Sequence, residues 1–114
     1  MSESIKIDGG CHCGHVTYKA EVRSDFVVIC HCRDCQRMSA SAYRIVVQSE
    51  ETNFELLQNP PKDYIKSSDS GRKRIQAFCP ECGTHIYSTA MDNIGERLFN
   101  IRLGTVTQHE LFKP

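Results

Sequence analysis

The sequence predicts a mainly β protein of one domain, and three observations support this. Short segments alternate apolar and polar residues or are rich in β-branched residues, turn-forming residues separate them, and no long amphipathic helix appears. The 114 residues fit one domain, assigned here to residues 1–114. About eight short strands are expected, over residues 15–22, 26–30, 43–48, 54–57, 63–67, 72–78, 84–88 and 97–103.

Local patterns set the limits of these strands. Residues 1–10 are interpreted as a short polar lead that ends in a tight turn at Gly9 and Gly10. Residues 68–71 give the clearest hairpin-turn signal in the chain. Alternation in the first predicted strand indicates one buried face, formed by Val16, Tyr18, Ala20 and Val22.

Charge and hydropathy exclude several kinds of partner. Fourteen basic and fourteen acidic residues cancel, so neither nucleic acid nor an acidic membrane surface is expected. The N-terminus has no apolar signal core and no apolar run is long enough to span a bilayer, so we expect a cytoplasmic protein. Nothing in the sequence specifies an oligomeric state.

Seven cysteines occur in three groups whose spacing is typical of metal ligands. In a reducing compartment such spacings favour metal binding over disulfides, and the odd total argues the same way. They divide into four that suit a closed tetrahedral zinc site and three that are one short of it. The four are Cys11, Cys13, Cys79 and Cys82, and the three are Cys30, Cys32 and Cys35.

The group of four is predicted to hold a structural zinc ion. Cys11 and Cys13 share a face in an extended chain, and Cys79-Pro80-Glu81-Cys82-Gly83 has the form of a zinc knuckle. One ion bound by all four thiolates would join the start of the domain to a point near its end. A redox-active Cys-Pro-x-Cys is the competing interpretation, but no thioredoxin-like βαβ pattern surrounds it.

The group of three is predicted to be the functional centre. Cys30 and Cys32 share a face, and a helical turn over residues 34–38 would bring Cys35 back to the same ion. We therefore expect a second zinc ion with an open position for substrate. The alternatives are a metal-free group or a closed site completed by a histidine, from among His12, His15, His31, His85 and His109.

The predicted ligand set indicates sulfur chemistry. Three thiolates make zinc a weak Lewis acid and a poor activator of water, whereas a fourth thiolate is a natural ligand. A thiol cosubstrate such as glutathione is expected, with a carbon–sulfur bond formed or cleaved at its sulfur. The candidates for binding the carboxylates of the thiol are Arg33, Arg37, Arg44 and the run Arg72-Lys73-Arg74, although each is equally a solvated surface charge. Arg33 and Arg37 are favoured slightly because they flank the centre. His31 and Asp34 are candidates for moving the proton.

Three motifs in order give the chain a resemblance to a known family. They are Cys11-His12-Cys13-Gly14 with His15-Val16, then Cys30-His31-Cys32-Arg33-Asp34-Cys35, then Phe78-Cys79-Pro80-Glu81-Cys82-Gly83-Thr84. In this combination the chain resembles the glutathione-dependent formaldehyde-activating enzyme family, to which centromere protein V is also similar. One departure is Gln76, where the family often has an arginine.

The resemblance implies a fold, two metal sites and a reaction. The fold is a β-tent, with a structural zinc at the four cysteines and a second zinc at Cys30, Cys32 and Cys35 that glutathione reaches. The implied reaction is that of an S-(hydroxymethyl)glutathione synthase, a carbon–sulfur lyase in the reverse direction, with a thiol and an aldehyde as small-molecule partners.

Two other functions compete with this one. The first is a non-catalytic zinc module of the same fold that binds another macromolecule. The second is thiol–disulfide or sulfoxide reduction by Cys35 or its neighbours, which is disfavoured because ligated thiolates are partly protected.

Overall fold

Two antiparallel sheets make up the part of the chain that the computed structural model describes, residues 4–67 and 70–112. These residues also contain one α-helix, α1 (Arg33–Ser39), and three short 3₁₀ segments, two of which follow the last strand. The strands are β1 (Ser4–Gly10), β2 (Thr17–Arg23), β3 (Val27–Cys30), β4 (Arg44–Glu50), β5 (Phe54–Gln58), β6 (Lys62–Ser67), β7 (Lys73–Phe78), β8 (His85–Ala90) and β9 (Leu98–Arg102).

The strands of the described residues divide between a smaller and a larger sheet. The smaller sheet has the order β1-β2-β5 and the larger sheet the order β3-β4-β9-β8-β7-β6. The mainly β prediction is confirmed, with nine strands in the described residues where about eight were expected. None of the helices in those residues is long and apolar enough to cross a membrane.

The additional strand is β1, so the interpretation of residues 1–10 as a polar lead was wrong for residues 4–10. Ile5 pairs with Val22, and Ile7 pairs with Ala20. Ile5 and Ile7 point inward at a period of two, but the intervening Lys6 and Asp8 concealed that short signal.

Gly9 and Gly10 lie in β1 and do not form the expected turn. Gly9 pairs with Tyr18, and a Cβ atom built on it would collide with the Thr105 carbonyl oxygen and the Tyr18 ring. Glycine is therefore needed at this position because Thr105 and Tyr18 approach its backbone closely. The predicted hairpin turn at 68–71 lies partly outside the described residues, although β6 and β7 on either side of it do pair antiparallel.

The core lies between the two sheets. Val16, Tyr18, Ala20 and Val22 are all buried, as the alternation predicted. Tyr18 stacks on Phe54 at 5.4 Å between ring centroids, Phe54 contacts Phe99 at 4.8 Å, and Phe99 stacks on Tyr87 at 4.7 Å. These rings bridge β2 and β5 to β8 and β9, so burial of aromatic surface holds the sheets together.

The other face of the larger sheet is polar, and its register positions the second cysteine group. Cys30 pairs with Arg44, and two residues further along β4 Val46 pairs with Arg102. Because paired residues and residues two apart share a face, these side chains project from the same side of the sheet. Gln76 and Ser88, which also pair, project from that side as well.

Candidate metal centres

Four cysteine sulfurs meet where the end of β1 approaches the loop between β7 and β8. The Sγ atoms of Cys11, Cys13, Cys79 and Cys82 all lie within 4.8 Å of one another. Cys11 and Cys13 are 3.6 Å apart at sulfur, and Cys13 and Cys79 are 3.8 Å apart. Four sulfurs at about 2.3 Å from one tetrahedral ion are about 3.8 Å apart, so the donor set and its spacing fit zinc.

The two loops that carry these sulfurs have the same local design. The N–H of Cys11 donates to the Val16 carbonyl at 3.1 Å, and that of Cys79 donates to the Thr84 carbonyl at 2.9 Å. Each loop also contains a glycine at positive φ, namely Gly14 at 82° and Gly83 at 81°. A side chain would strain this left-handed conformation, which curls each loop around its pair of sulfurs.

Backbone and hydroxyl donors surround the sulfurs of this group. Val16 N–H donates to Cys11 Sγ and Glu81 N–H to Cys79 Sγ, each at 3.3 Å. The Thr84 side chain contacts Cys82 Sγ at 3.2 Å, and hydrogen bonds from Thr84 lower the pKa of the Cys82 thiol to about 5. Such donors favour the thiolate form that a metal requires.

The second group lies at the junction of β3 and α1. Cys30, Cys32 and Cys35 have sulfurs that all lie within 4.8 Å of one another, with 3.4 Å between Cys30 and Cys32. Cys32 caps α1, and its sulfur accepts the backbone N–H of Cys35 at 3.4 Å. The helix expected over 34–38 is present as α1 and brings Cys35, which is buried, back over the other two.

The environments of these three thiols differ. The backbone N–H of Cys35 is the main cause that lowers the pKa of Cys32 to about 7. Burial raises the pKa of Cys35 to about 12, although the positive charge of Arg44 opposes this. Cys32 is exposed and Cys30 is partly exposed, so the group faces outward on one side.

The second group has three candidate ligands where the first has four. Among residues 4–67 and 70–112, no histidine or carboxylate joins Cys30, Cys32 and Cys35 within the same distance. The five histidines considered above all fall in these ranges. His31 is exposed and packs against Tyr43 at 5.3 Å between centroids. The described residues therefore supply three of the four ligands that a tetrahedral zinc ion takes.

The predicted flanking residues lie on the outside of this group. Arg33 is exposed and donates to Gln36 at 3.4 Å, and Arg37 is exposed on the same helix. Asp34 pairs with Lys66 at 2.8 Å, which lowers the pKa of the Asp34 carboxyl.

Arg102 is the residue at this site that sequence reasoning missed. It is only 8% exposed, and its Nη2 donates to Gln76 Oε1 at 3.2 Å. Alternation in β9, with Phe99 and Ile101 in the core, does assign Arg102 to the opposite face. Nothing in the sequence indicates that an arginine on this face is buried.

Two adjoining cavities lie on the polar face of the larger sheet. A small cavity of about 130 Å³ contains the three sulfurs and is also lined by Asp34, Arg44, Arg74 and Gln76. A groove of about 700 Å³ is lined by Arg44, His85 and Arg102, among others. Arg44 borders both, so it connects the cysteine group to the larger space.

The fold and the site define a mainly β protein with two cysteine clusters that could each hold a metal ion. The profile of the glutathione-dependent formaldehyde-activating enzyme family matches residues 6–114, and the chain belongs to this family. Its fold is similar to the crystal structure of a Rhodobacter sphaeroides protein, with a TM-score of 0.68 and 18% sequence identity. That similarity covers 89% of this chain and 88% of the other.

Proposed function

We propose that this protein is a zinc-dependent carbon–sulfur lyase that forms or cleaves the adduct of a thiol with an aldehyde, as an S-(hydroxymethyl)glutathione synthase does. Glutathione is the proposed thiol and formaldehyde the proposed aldehyde, in accordance with the family to which the chain belongs. The proposed compartment is the cytoplasm, where thiols stay reduced.

The observation that carries this proposal is the difference between the two cysteine groups. In the first group four sulfurs lie within 4.8 Å of one another, and in the second group three do. The three sulfurs of the second group line a cavity. Four protein ligands leave no place for substrate, whereas three leave one. We assign Cys11, Cys13, Cys79 and Cys82 to a structural zinc, and Cys30, Cys32 and Cys35 to a substrate-binding zinc.

Cys30, Cys32 and Cys35 would hold the zinc ion, which would supply a soft, electron-rich centre that keeps a thiol ionised near neutral pH. The reaction adds the thiol across the aldehyde: a carbon–sulfur bond forms, and the sulfur proton ends on the carbonyl oxygen. Asp34 lines the same cavity as the three cysteines, which favours it over His31 as the proton carrier. Arg33 and Arg37 remain proposed contacts for the outer parts of the thiol.

The test combines metal analysis with exchange kinetics. We expect two zinc ions per chain, and faster exchange between free glutathione and its hydroxymethyl adduct, measured by exchange NMR at catalytic protein concentration. The variant Cys32→Ser should lose the acceleration, whereas Arg23→Gln, which alters an exposed ion pair with Asp25, should keep it. Wild-type exchange at the uncatalysed rate would contradict the proposal and favour a non-catalytic zinc module.

A further inference from the structure

The polar face beside the three cysteines contains buried positive charge with no carboxylate partner. Among the residues that the structure describes, neither Arg44 nor Arg102 forms an ion pair with a carboxylate. Arg74 lies close to Arg44. Burial is the main cause that lowers the pKa of Arg74, and the charge of Arg44 is the next. Arg102 is buried and Arg44 and Arg74 are half-buried, and clustering cations in this way is unfavourable unless negative charge offsets them.

Several donors on these side chains have no acceptor. Nε and Nη1 of Arg102 and Nε of Arg44 are buried without a hydrogen-bond partner. Since the cysteine sulfurs do not accept from these atoms either, the thiols do not satisfy them. An unsatisfied buried donor on a charged group is costly, which indicates that an external acceptor belongs here.

The charge environment is consistent with an anion at this place. Burial and, after it, the positive charge of nearby Arg44 lower the pKa of Arg102 to about 10, although Cys35 and Cys30 oppose both effects. The guanidinium remains charged at neutral pH. His85, which lines the same groove, has its pKa lowered by burial and then by Arg102 and Arg44, which favours its neutral form.

We propose that Arg102 and Arg44 form a carboxylate-binding subsite that holds the acidic group of a thiol whose sulfur lies at Cys30, Cys32 and Cys35. The inference rests on the proposed function and adds to it the two residues that bind a carboxylate of the thiol. Arg44 borders both the sulfur cavity and the groove of about 700 Å³, so one ligand can occupy both. A groove of this volume is within the usual range for small-molecule binding sites.

The experiment uses the full chain with cobalt in place of zinc, because sulfur–cobalt absorption reports a thiol joining the metal. Titrations compare 3-mercaptopropionate, which carries a carboxylate, with its methyl ester, which does not. We expect wild type to bind the acid at least about tenfold more tightly than the ester, as a charged hydrogen-bonded pair predicts. Arg102→Gln and Arg44→Gln should each bring that ratio close to one and leave ester binding unchanged.

Controls separate this inference from the function on which it rests. Arg23→Gln removes an exposed charge from the other sheet and should preserve the ratio. Differences in thiol acidity between the two compounds cancel when ratios are compared across variants. Should Arg102→Gln fail to fold, Arg44→Gln carries the test.

Three results would overturn the subsite. The first is equal binding of acid and ester by wild type. The second is an unchanged acid-to-ester affinity ratio in folded Arg102→Gln and Arg44→Gln. The third is a ratio that Arg37→Gln abolishes and these two variants do not. If neither thiol changes the cobalt spectrum, the proposed function fails and the subsite falls with it. If the ester binds but the acid has no advantage, only the subsite fails.

Discussion

His12 and Thr84 connect the two loops of the four-cysteine cluster: the backbone N–H of His12 donates to Thr84 Oγ1 at 3.1 Å. The same hydroxyl lies 3.2 Å from Cys82 Sγ. One side chain thus links residues 72 positions apart in sequence and contacts a candidate ligand.

Replacing Thr84 with Val should therefore weaken this cluster. The change removes both hydroxyl contacts at nearly constant volume, and we expect a loss of about 1–2 kcal/mol in the free energy of unfolding. Zinc should also pass faster to a chelator. Urea unfolding and chelator kinetics measure the two effects, and Thr84→Ser, which keeps the hydroxyl, serves as control. Equal behaviour of the Val and Ser variants would show that the hydroxyl is unimportant.

Two exposed cysteines allow the roles of the two clusters to be compared with the same substitution. Cys82→Ser removes a ligand from the four-cysteine cluster, and it should cost several kcal/mol of stability because metal binding is coupled to folding. Cys32→Ser removes a ligand from the three-cysteine cluster and should lower the second metal's occupancy with a smaller loss of stability. Metal analysis and thermal unfolding measure both effects. A larger loss of stability in Cys32→Ser than in Cys82→Ser would mean that the two clusters have the opposite roles.

Gly9→Ala should destabilise the packing of β1 on β2. The added methyl group would collide with the Thr105 carbonyl oxygen and the Tyr18 ring, and neither can move without disturbing the core. We expect a loss of about 1–3 kcal/mol. Gly104→Ala is a matched control, since no atom lies within 4 Å of a Cβ placed there. Chemical denaturation compares them, and a Gly9 variant as stable as the control would be inconsistent with the register of β1.

Glu51 and Arg97 form a partly buried ion pair that makes stability depend on pH. Arg97 Nε donates to Glu51 Oε1 at 2.8 Å and Nη2 donates to Oε2 at 2.9 Å. Chiefly through these bonds, Arg97 lowers the pKa of Glu51 from 4.5 to about 2. A carboxyl with a lowered pKa stabilises the fold above its unfolded pKa, and that contribution is lost as the pH falls from about 4.5 towards 2.

Glu51→Gln should accordingly cost about 1–2 kcal/mol at neutral pH, and the difference from wild type should shrink below about pH 4. Glu50→Gln, at an exposed neighbouring position, should show no such pH-dependent difference. Unfolding curves at several pH values for the three proteins provide the comparison. A Glu51 variant whose deficit stays constant down to low pH would mean that the ion pair does not stabilise the fold.

Local patterns predicted most of the strands and the division of the seven cysteines into groups of four and three. Alternation identified the buried face of β2, and Cys-x-Cys and Cys-x-x-Cys spacings grouped the sulfurs, because both signals lie within a few residues. β1 was missed because its two inward-facing isoleucines form a very short pattern beside a polar start.

Tertiary packing determined what the sequence could not predict at the site. Arg102 and Arg44 come from strands far apart in the chain, and their proximity depends on the pairing of β4 with β9. The burial of Arg102 and the half-burial of Arg44 likewise depend on tertiary packing, which no local pattern encodes. The sequence did offer Arg44 as a candidate but favoured Arg33 and Arg37, because they neighbour the cysteines in sequence, yet the structure places both on the exposed side of α1.

The central claim is that the three-cysteine centre accepts an external thiol and the four-cysteine centre does not. Cadmium NMR of the fully metal-substituted protein tests it most directly, since each site gives its own signal and the shift increases with the number of sulfur ligands. We expect two signals, of which only the one with fewer sulfur ligands moves towards the four-sulfur position when glutathione is added. Two four-sulfur signals without glutathione, or a second signal that glutathione leaves unchanged, would contradict the account.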